Sequence, residues 1–377
     1  RLHALCPYFA MFPPTFVQNI VRAYTKVGDL VFDPFSGRGT TLLESLLNDR
    51  EAIASDINPV AYCVSAAKAH TPGLSRLLDE IEALESAYWR RSAIGFEIQR
   101  LKLPSFFRRA FHAETLRQIL FLRKALKWQH NQTHTFIAAL VLGHLHGEMN
   151  RSPNYLSNQM PHSISSKPSY SLSYWRENEL RPPERDVFDL LWDRAEYRLS
   201  DEPPPQIGRV VQADVRKAAQ ELRKYVGKVA AVITSPPYLD ITNFEEDQWL
   251  RLWFLGGPPH PTYGQVSLDD RHTKRENYWR FLYEAWAGIQ PLLKPGAILA
   301  IRIGGKDLDK ADIVRHATET LRSVWSRIMM IDEPVSTLIP KSQAKTLSPD
   351  SVGCRFEVDL TYMIPRPLVS FAGSRLC

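Results

Sequence analysis

The stretch "KVGDLVFDPFSGRGTTLLESLL", residues 26 to 47, decides how the chain is to be read. Leu30, Val31 and Phe32 form a short apolar run of β-branched and aromatic character, which argues a buried strand. Asp33 and Pro34 end it, Gly37 and Gly39 supply a turn, and the run from Thr40 predicts a helix. The next stretch, "EAIASDINPVA" at 51 to 61, repeats the unit: a second strand ending at Asp56, then a helix from about Pro59 to Ala69. Strand, helix, strand, helix at this pitch predicts a parallel α/β sheet.

The alternation then stops and later resumes. Residues 74 to 91 carry Leu74, Leu77, Leu78, Ile81, Leu84 and Tyr88 at helical spacing, and 114 to 128, 134 to 149 and 184 to 199 also read as helices. Residues 150 to 183, rich in Ser, Pro, Asn and Tyr without periodicity, predict a long ordered loop. "DEPPPQIG" at 201 to 208 is a stiff connector. Strands resume at "RVVQAD" and "VAAVIT", and "YWRFLYEAWAGIQPLLKPGAILAIRIGG", 278 to 305, predicts a helix, a Lys-Pro-Gly turn and a buried strand. Residues 344 to 366 predict a terminal hairpin. The expected organisation is one α/β unit in two pieces, 1–70 and 206–377, around a mainly helical insert, 71–205.

With 377 residues, 44% hydrophobic and 23% charged, the chain can bury a sizeable core. Its longest apolar run, "TFIAALVLGHLHGEM" from Thr135, is broken by glycine and histidine before membrane-spanning length, so no membrane association is expected. The first residues lack a basic start followed by a clean apolar core, so no secretory signal is expected and a cytoplasmic location is. Cys6, Cys63, Cys354 and Cys377 form no CxxC pair, which supports neither a disulfide framework nor a metal site. The net charge of +6 is uneven. Residues 90 to 130 hold ten basic and two acidic side chains, +8, leaving −2 for the rest.

A second stretch, "AAVITSPPYLD" at 230 to 240, ends an apolar strand on Ser235, Pro236, Pro237 and Tyr238. Two prolines continue neither a central strand nor a helix, so the chain leaves the sheet rigid and extended. Alone, such a pair is ordinary loop punctuation. It stands, however, beside Asp33, Asp56 and Asp214, each closing a strand in a sheet whose crevice at the strand ends binds ligands. Each aspartate can also be a helix cap. The glycine loop lacks both the G-x-G-x-x-G spacing and the G-K-[ST] of phosphate-binding loops. Together the residues describe a nucleoside pocket without a phosphate site.

"DPFSGRGTT", preceded by "MFPPTFVQNIVRAYTKVGDLVF" and combined with "TSPPY", resembles the S-adenosylmethionine-dependent DNA amino-methyltransferases, over roughly the first 70 residues and 206 to 305. The resemblance implies a Rossmann-like methyltransferase sheet, mostly parallel with an antiparallel hairpin. It implies that Phe35, Gly37, Gly39 and Thr40, with Asp33 nearby, line the methionine end of the cofactor. Asp56 would hold the ribose, Asp214 the adenine, and Phe12 and Thr15 the additional cofactor motif. An acceptor on Ser235 and the carbonyl of Pro236 can take the hydrogens of an exocyclic amine, Pro237 stiffens the loop, and Tyr238 can stack on a flipped base. Serine in the first place resembles the cytosine N4 members; Asp or Asn is usual for adenine N6.

The implied partner is double-stranded DNA, with a cognate restriction endonuclease where the protein serves a restriction–modification system. The order of motifs departs from the usual layouts, which leaves the target-recognition region open. The insert is favoured, through Arg108, Arg109, Arg117, Arg151, Asn158, Lys167, Tyr170 and Trp175. The alternative is that these helices brace the sheet and their arginines form a solvated face. His144 and His146 are read as structural. Adenine N6 methylation, guanine amino-methylation of RNA and a non-catalytic scaffold are the rival functions.

Overall fold

Eight strands pair into one mixed sheet in a computed structural model that describes residues 1–8, 12–151, 153–161, 167–239, 244–265, 274–305, 308–338 and 356–365. They are β1 Leu30–Asp33, β2 Glu51–Asp56, β3 Arg209–Gln212, β4 Val229–Thr234, β5 Leu293–Gly304, β6 Met329–Met330, β7 Val335–Leu338 and β8 Phe356–Met363. The spatial order is β3-β2-β1-β4-β5-β8-β6, with β7 also on β8. The first five are mutually parallel, and β8 runs antiparallel to β5, β6 and β7. The expected Rossmann-like sheet, mostly parallel with antiparallel closing strands, is therefore present.

Strand alternation builds the layers. Leu30 and Phe32 of β1, Ile53 of β2 and Val232 of β4 join one core, under the helices Arg275–Ile289 and Lys310–Val324. Val31, Ala231 and Ile233 point the opposite way, against Val17 and Val21 of the helix Pro14–Tyr24. Because chain order reverses direction across the sheet between β1 and β4, the carboxyl ends of these two strands form the switch point where a ligand crevice opens.

Residues 71 to 205 supply helices at Leu74–Trp89, Ile94–Lys102, Ser105–Ala110, Ala113–Ala125, Gln132–His144, Pro168–Glu177 and Val187–Arg198. Their apolar core is continuous with Leu5, Cys6, the helix Pro59–Ala69 and the helix Trp249–Phe254. Burial here is deep: twelve of the thirteen residues of Gln132–His144 are buried. None of the described helices is long and apolar enough to cross a membrane.

Two expectations need correction. The helix Pro168–Glu177 lies inside the stretch read as a loop; Pro168 pre-sets its first turn, and Ser171 and Trp175 face inward. Lys294, Pro295 and Gly296 form an irregularity inside β5 rather than a turn before it: Val229 pairs Leu293 and Ala231 already pairs Ile298, with Gly296 at φ +80°. β8, inside the expected hairpin of 344 to 366, pairs antiparallel with β7; residues 339 to 355 and 366 lie outside the described residues.

Candidate active site

The glycine loop is held open by its own backbone chemistry. Gly37 (φ +48°) and Gly39 (φ +75°) occupy the left-handed region that side chains disfavour. A Cβ on Gly39 would stand 2.9 Å from Ser65 Oγ and 3.1 Å from Ser65 Cα, so the loop presses directly on the helix Pro59–Ala69. Beneath it, buried Lys68 donates from Nζ to the Arg38 carbonyl at 2.5 Å. Burial pushes this lysine down to about 7, the nearby Arg38 charge adding to the effect. Thr40, buried, opens the helix Thr40–Leu47, and Thr41 Oγ1 donates to Ile233 O of β4 at 2.9 Å.

Asp33, Asp56 and Asp214 stand at or just beyond the adjacent ends of β1, β2 and β3. Asp33 is 1% exposed; its Oδ1 accepts from Phe35 N at 3.1 Å and Thr234 Oγ1 at 2.6 Å, while Oδ2 is buried with no hydrogen-bond partner among the described residues. Burial pushes its carboxyl up to about 7. Asp56 Oδ2 accepts from Gly37 N at 2.9 Å and Oδ1 from Asn58 N at 2.9 Å, and burial pushes it up to about 6. Asp214 follows Ala213, whose amide donates to Asp56 O at 3.0 Å. It caps the short helix Val215–Lys217 and is bound by the Arg216 guanidinium; burial opposes ionisation, but those bonds hold the carboxyl below its usual range.

Across the switch point, Ser235 follows Thr234, whose bond to Asp33 locks the end of β4 to the end of β1. Pro236 is buried and Pro237 half-buried. Tyr238 is 5% exposed and donates to Glu357 Oε1 on β8 at 2.7 Å, and Ser235 Oγ donates to the Tyr238 hydroxyl at 3.3 Å. In this arrangement the phenol is packed inward, its hydroxyl reaching past β5 to β8. The acidic run after the loop is internally engaged: Glu245 accepts from Thr262 and from Gln265 N, and Glu246 pairs with Lys167 at 2.9 Å.

The other cofactor candidates have mixed settings. Phe35 packs edge-on to Phe281 at 5.9 Å, Phe12 is buried in the core edge-on to Phe16 at 5.5 Å, and Thr15 is exposed on the helix Pro14–Tyr24. Sequence reasoning missed Tyr8, Asn58, Lys68 and Glu357. A Cβ on Gly37 would lie 3.5 Å from Tyr8 Cε1, and Asn58 Nδ2 donates to the Tyr8 hydroxyl at 2.9 Å. Lys68 alone left a local signal, a charge inside the small apolar run "SAAKA".

The nucleic-acid candidates divide by burial. Trp175, 1% exposed, packs on Phe106 and donates to Gln159 O. Asn158, 2% exposed, spends its donors on the carbonyls of Ala110 and Arg109. Arg117 is held between Glu97 and Glu114, and Arg108 caps the carbonyls of Leu101 and Leu103. Arg109 and Tyr170 are exposed; Arg151 and Lys167 are exposed too, each paired with one glutamate, Glu148 and Glu246. Within residues 90 to 130, the two acidic side chains already counted in the +8, Glu97 and Glu114, are the ones that Arg100 and Arg117 engage. His144 and His146 are buried; His144 bonds Leu140 O and burial pushes it down to about 4, while His146 bonds Ser157. Among the described residues no three His, Cys, Asp or Glu side chains gather as a metal site.

Residues 3–68 match the N6_N4_Mtase family model, described as DNA methylase. The chain is 30% identical over 77 residues to the type II methyltransferase M.MjaII of Methanocaldococcus jannaschii, covering 20% of this chain and 14% of that protein. It is 39% identical over 54 residues to the orphan methyltransferase M.BamHII of Bacillus amyloliquefaciens, covering 14% and 20%. The chain thus spans a fifth or less of these curated relatives. Among solved structures, TrmN from Thermus thermophilus is 10% identical with TM-score 0.35, covering 97% of this chain and 52% of that one. At that level the likeness carries no weight, and the fold stands on the strand order alone. The stretch from residue 3 to 68, which holds the glycine loop, Asp33 and Asp56, is what this chain shares in sequence with the DNA methylase family.

Proposed function

We propose that the protein is an S-adenosylmethionine-dependent DNA methyltransferase, acting on the N4 amine of a flipped cytosine in a short duplex sequence within a restriction–modification or related defence system. The observation that carries the reading is the 2.6 Å bond from Thr234 to Asp33. It sets the Ser-Pro-Pro-Tyr loop against the glycine loop at the switch point of the sheet, one holding the acceptor amine and the other the donor. The family match over residues 3–68 supports the same assignment.

The residues present fit the cofactor. Asp33 Oδ2 is a buried polar atom with no hydrogen-bond partner among the described residues, and the left-handed glycines let backbone approach a ligand closely. S-adenosylmethionine supplies a methyl group activated on a sulfonium. Asp56, fixed by the Gly37 amide, would hold the ribose hydroxyls, and Asp214 the adenine edge. Thr40, Phe35 and the glycine loop bound the methionine end, with Phe12 and Thr15 on the additional motif. An amine lone pair delocalised into a base ring is a poor nucleophile. Ser235 Oγ and the Pro236 carbonyl accept its two hydrogens and draw the nitrogen toward tetrahedral geometry. Bound S-adenosylmethionine would supply the methyl to that nitrogen with its sulfur as leaving group, while Ser235 Oγ and the Pro236 carbonyl would hold the amine hydrogens, the surplus proton passing to solvent.

The insert, 71 to 205, supplies target recognition through its exposed members, Arg108, Arg109, Arg151, Lys167 and Tyr170. Lys167 pairs with Glu246, shortly after the Ser-Pro-Pro-Tyr loop, which supports a DNA path from the insert to the crevice. Incubation with methyl-labelled cofactor and either duplex DNA, tRNA or rRNA tests the substrate class. Label in DNA alone is expected; label confined to RNA overturns the assignment.

A further inference from the structure

The polarity of the hydrogen bonds behind the Ser-Pro-Pro-Tyr loop can be read from its last member. Glu357 Oε1 receives the Tyr238 hydroxyl at 2.7 Å. A carboxylate accepts only, so the phenolic proton points at Glu357 and the phenolic oxygen is an acceptor toward Ser235. Ser235 Oγ donates to it at 3.3 Å. The one proton of the serine is therefore directed into the protein, and its lone pairs are left for a hydrogen donor in the crevice. An exocyclic amine is such a donor.

Glu357 is itself fixed. Arg302 Nη1 stands 3.3 Å from Glu357 Oε2. Arg302 is 5% exposed, grips Asp359 with two bonds of 2.6 and 2.8 Å, and lies over the Phe16 ring at 4.5 Å. A guanidinium only donates, so it requires an oxygen at the position facing it.

Resting on the methyl-transfer reading above, we propose that Glu357 is a positioning residue that orients Ser235 as a hydrogen-bond acceptor for the target amine, acting through Tyr238. Glu357→Gln tests this with little change of shape. Arg302 claims the amide oxygen, so the amide nitrogen turns to Tyr238 and donates. The Tyr238 proton then turns away from position 357, and as it goes to Ser235 the serine proton swings outward against the hydrogens of the amine. Packing is retained and polarity is reversed.

The experiment is single-turnover and steady-state methylation of duplex DNA by the full chain and its Glu357→Gln, Glu357→Asp, Tyr238→Phe and Glu357→Gln/Tyr238→Phe variants, with thermal midpoints alongside. Glu357→Gln is expected to lower kcat about tenfold or more, the scale of a misplaced reacting group, with the KM for S-adenosylmethionine and the midpoint unchanged. Glu357→Asp, which keeps an acceptor-only group, recovers part of the loss. In the Tyr238→Phe background the glutamine has no further effect. Wild-type kcat in Glu357→Gln, an aspartate as impaired as the glutamine, or an equal loss in the phenylalanine background overturns the proposal. A wild-type chain that methylates no nucleic acid overturns the methyl-transfer reading instead, and this inference with it.

Discussion

Gly39→Ala probes the glycine loop most sharply, because the structure supplies both terms of its cost. At φ +75° an alanine bears a left-handed backbone, worth about 1–2 kcal/mol. Its Cβ also meets Ser65 at 2.9 Å from Oγ and 3.1 Å from Cα, on a helix whose Ser65 is fully buried and cannot swing aside. Overpacking of this kind adds about 1–3 kcal/mol. Gly28→Ala is the matched control: φ is +80°, and nothing lies within 4 Å of the added carbon. Urea unfolding should therefore show a loss of about 1–2 kcal/mol for Gly28→Ala and about 2–5 kcal/mol for Gly39→Ala. If the loop instead shifts to relieve the contact, Gly37 N leaves Asp56, and calorimetry shows weakened S-adenosylmethionine binding for Gly39→Ala alone. Equal stability loss and equal cofactor affinity in the two variants would refute the claim that the loop is pinned against Ser65.

Two further outcomes are expected. Burial raises the folded-state Asp33 carboxyl to about 7, above its unfolded value, so the folded chain binds more protons between pH 4 and 7 and stability falls as pH rises through that window. Asp33→Asn should remove its share of this slope, leaving that of Asp56; unfolding curves at pH 4.5 and 7.5 that differ equally in both proteins contradict it. The insert residues should separate by burial: Trp175→Ala costs about 3–5 kcal/mol of stability, whereas Arg109→Ala leaves stability intact and lowers the salt dependence of DNA binding by about one counterion. Thermal unfolding and salt-titrated binding check the pair, and a destabilised Arg109 variant or an unaffected Trp175 variant contradicts the division.

The parts legible in the sequence were those written locally. A strand, two glycines and a helix within residues 26 to 47 carry their own turn chemistry, and the strand-end aspartates follow from that register. The helix Pro168–Glu177 was hidden by its serines and tyrosines, although Pro168 at its first turn is a start signal. Asn158 and Trp175 looked like surface residues because their partners lie in other segments; composition does not reveal a buried indole. Pairing inside the basic stretch was legible too. Glu97 with Arg100 and Glu114 with Arg117, each three residues apart on a helix, already marked internal pairing, and Arg117 closes the network across to Glu97. Glu357 was illegible for a different reason: it meets Tyr238 across 119 residues, through strand pairing that no local pattern encodes.

The most direct test of the central claim is nucleoside mass spectrometry of unmethylated genomic DNA after incubation with the protein and S-adenosylmethionine, with Ser235→Ala run in parallel. The account predicts N4-methylcytosine with the wild-type chain and a loss of it with the variant. N6-methyladenine would contradict the cytosine assignment, and DNA without any methylated base would contradict the enzyme itself.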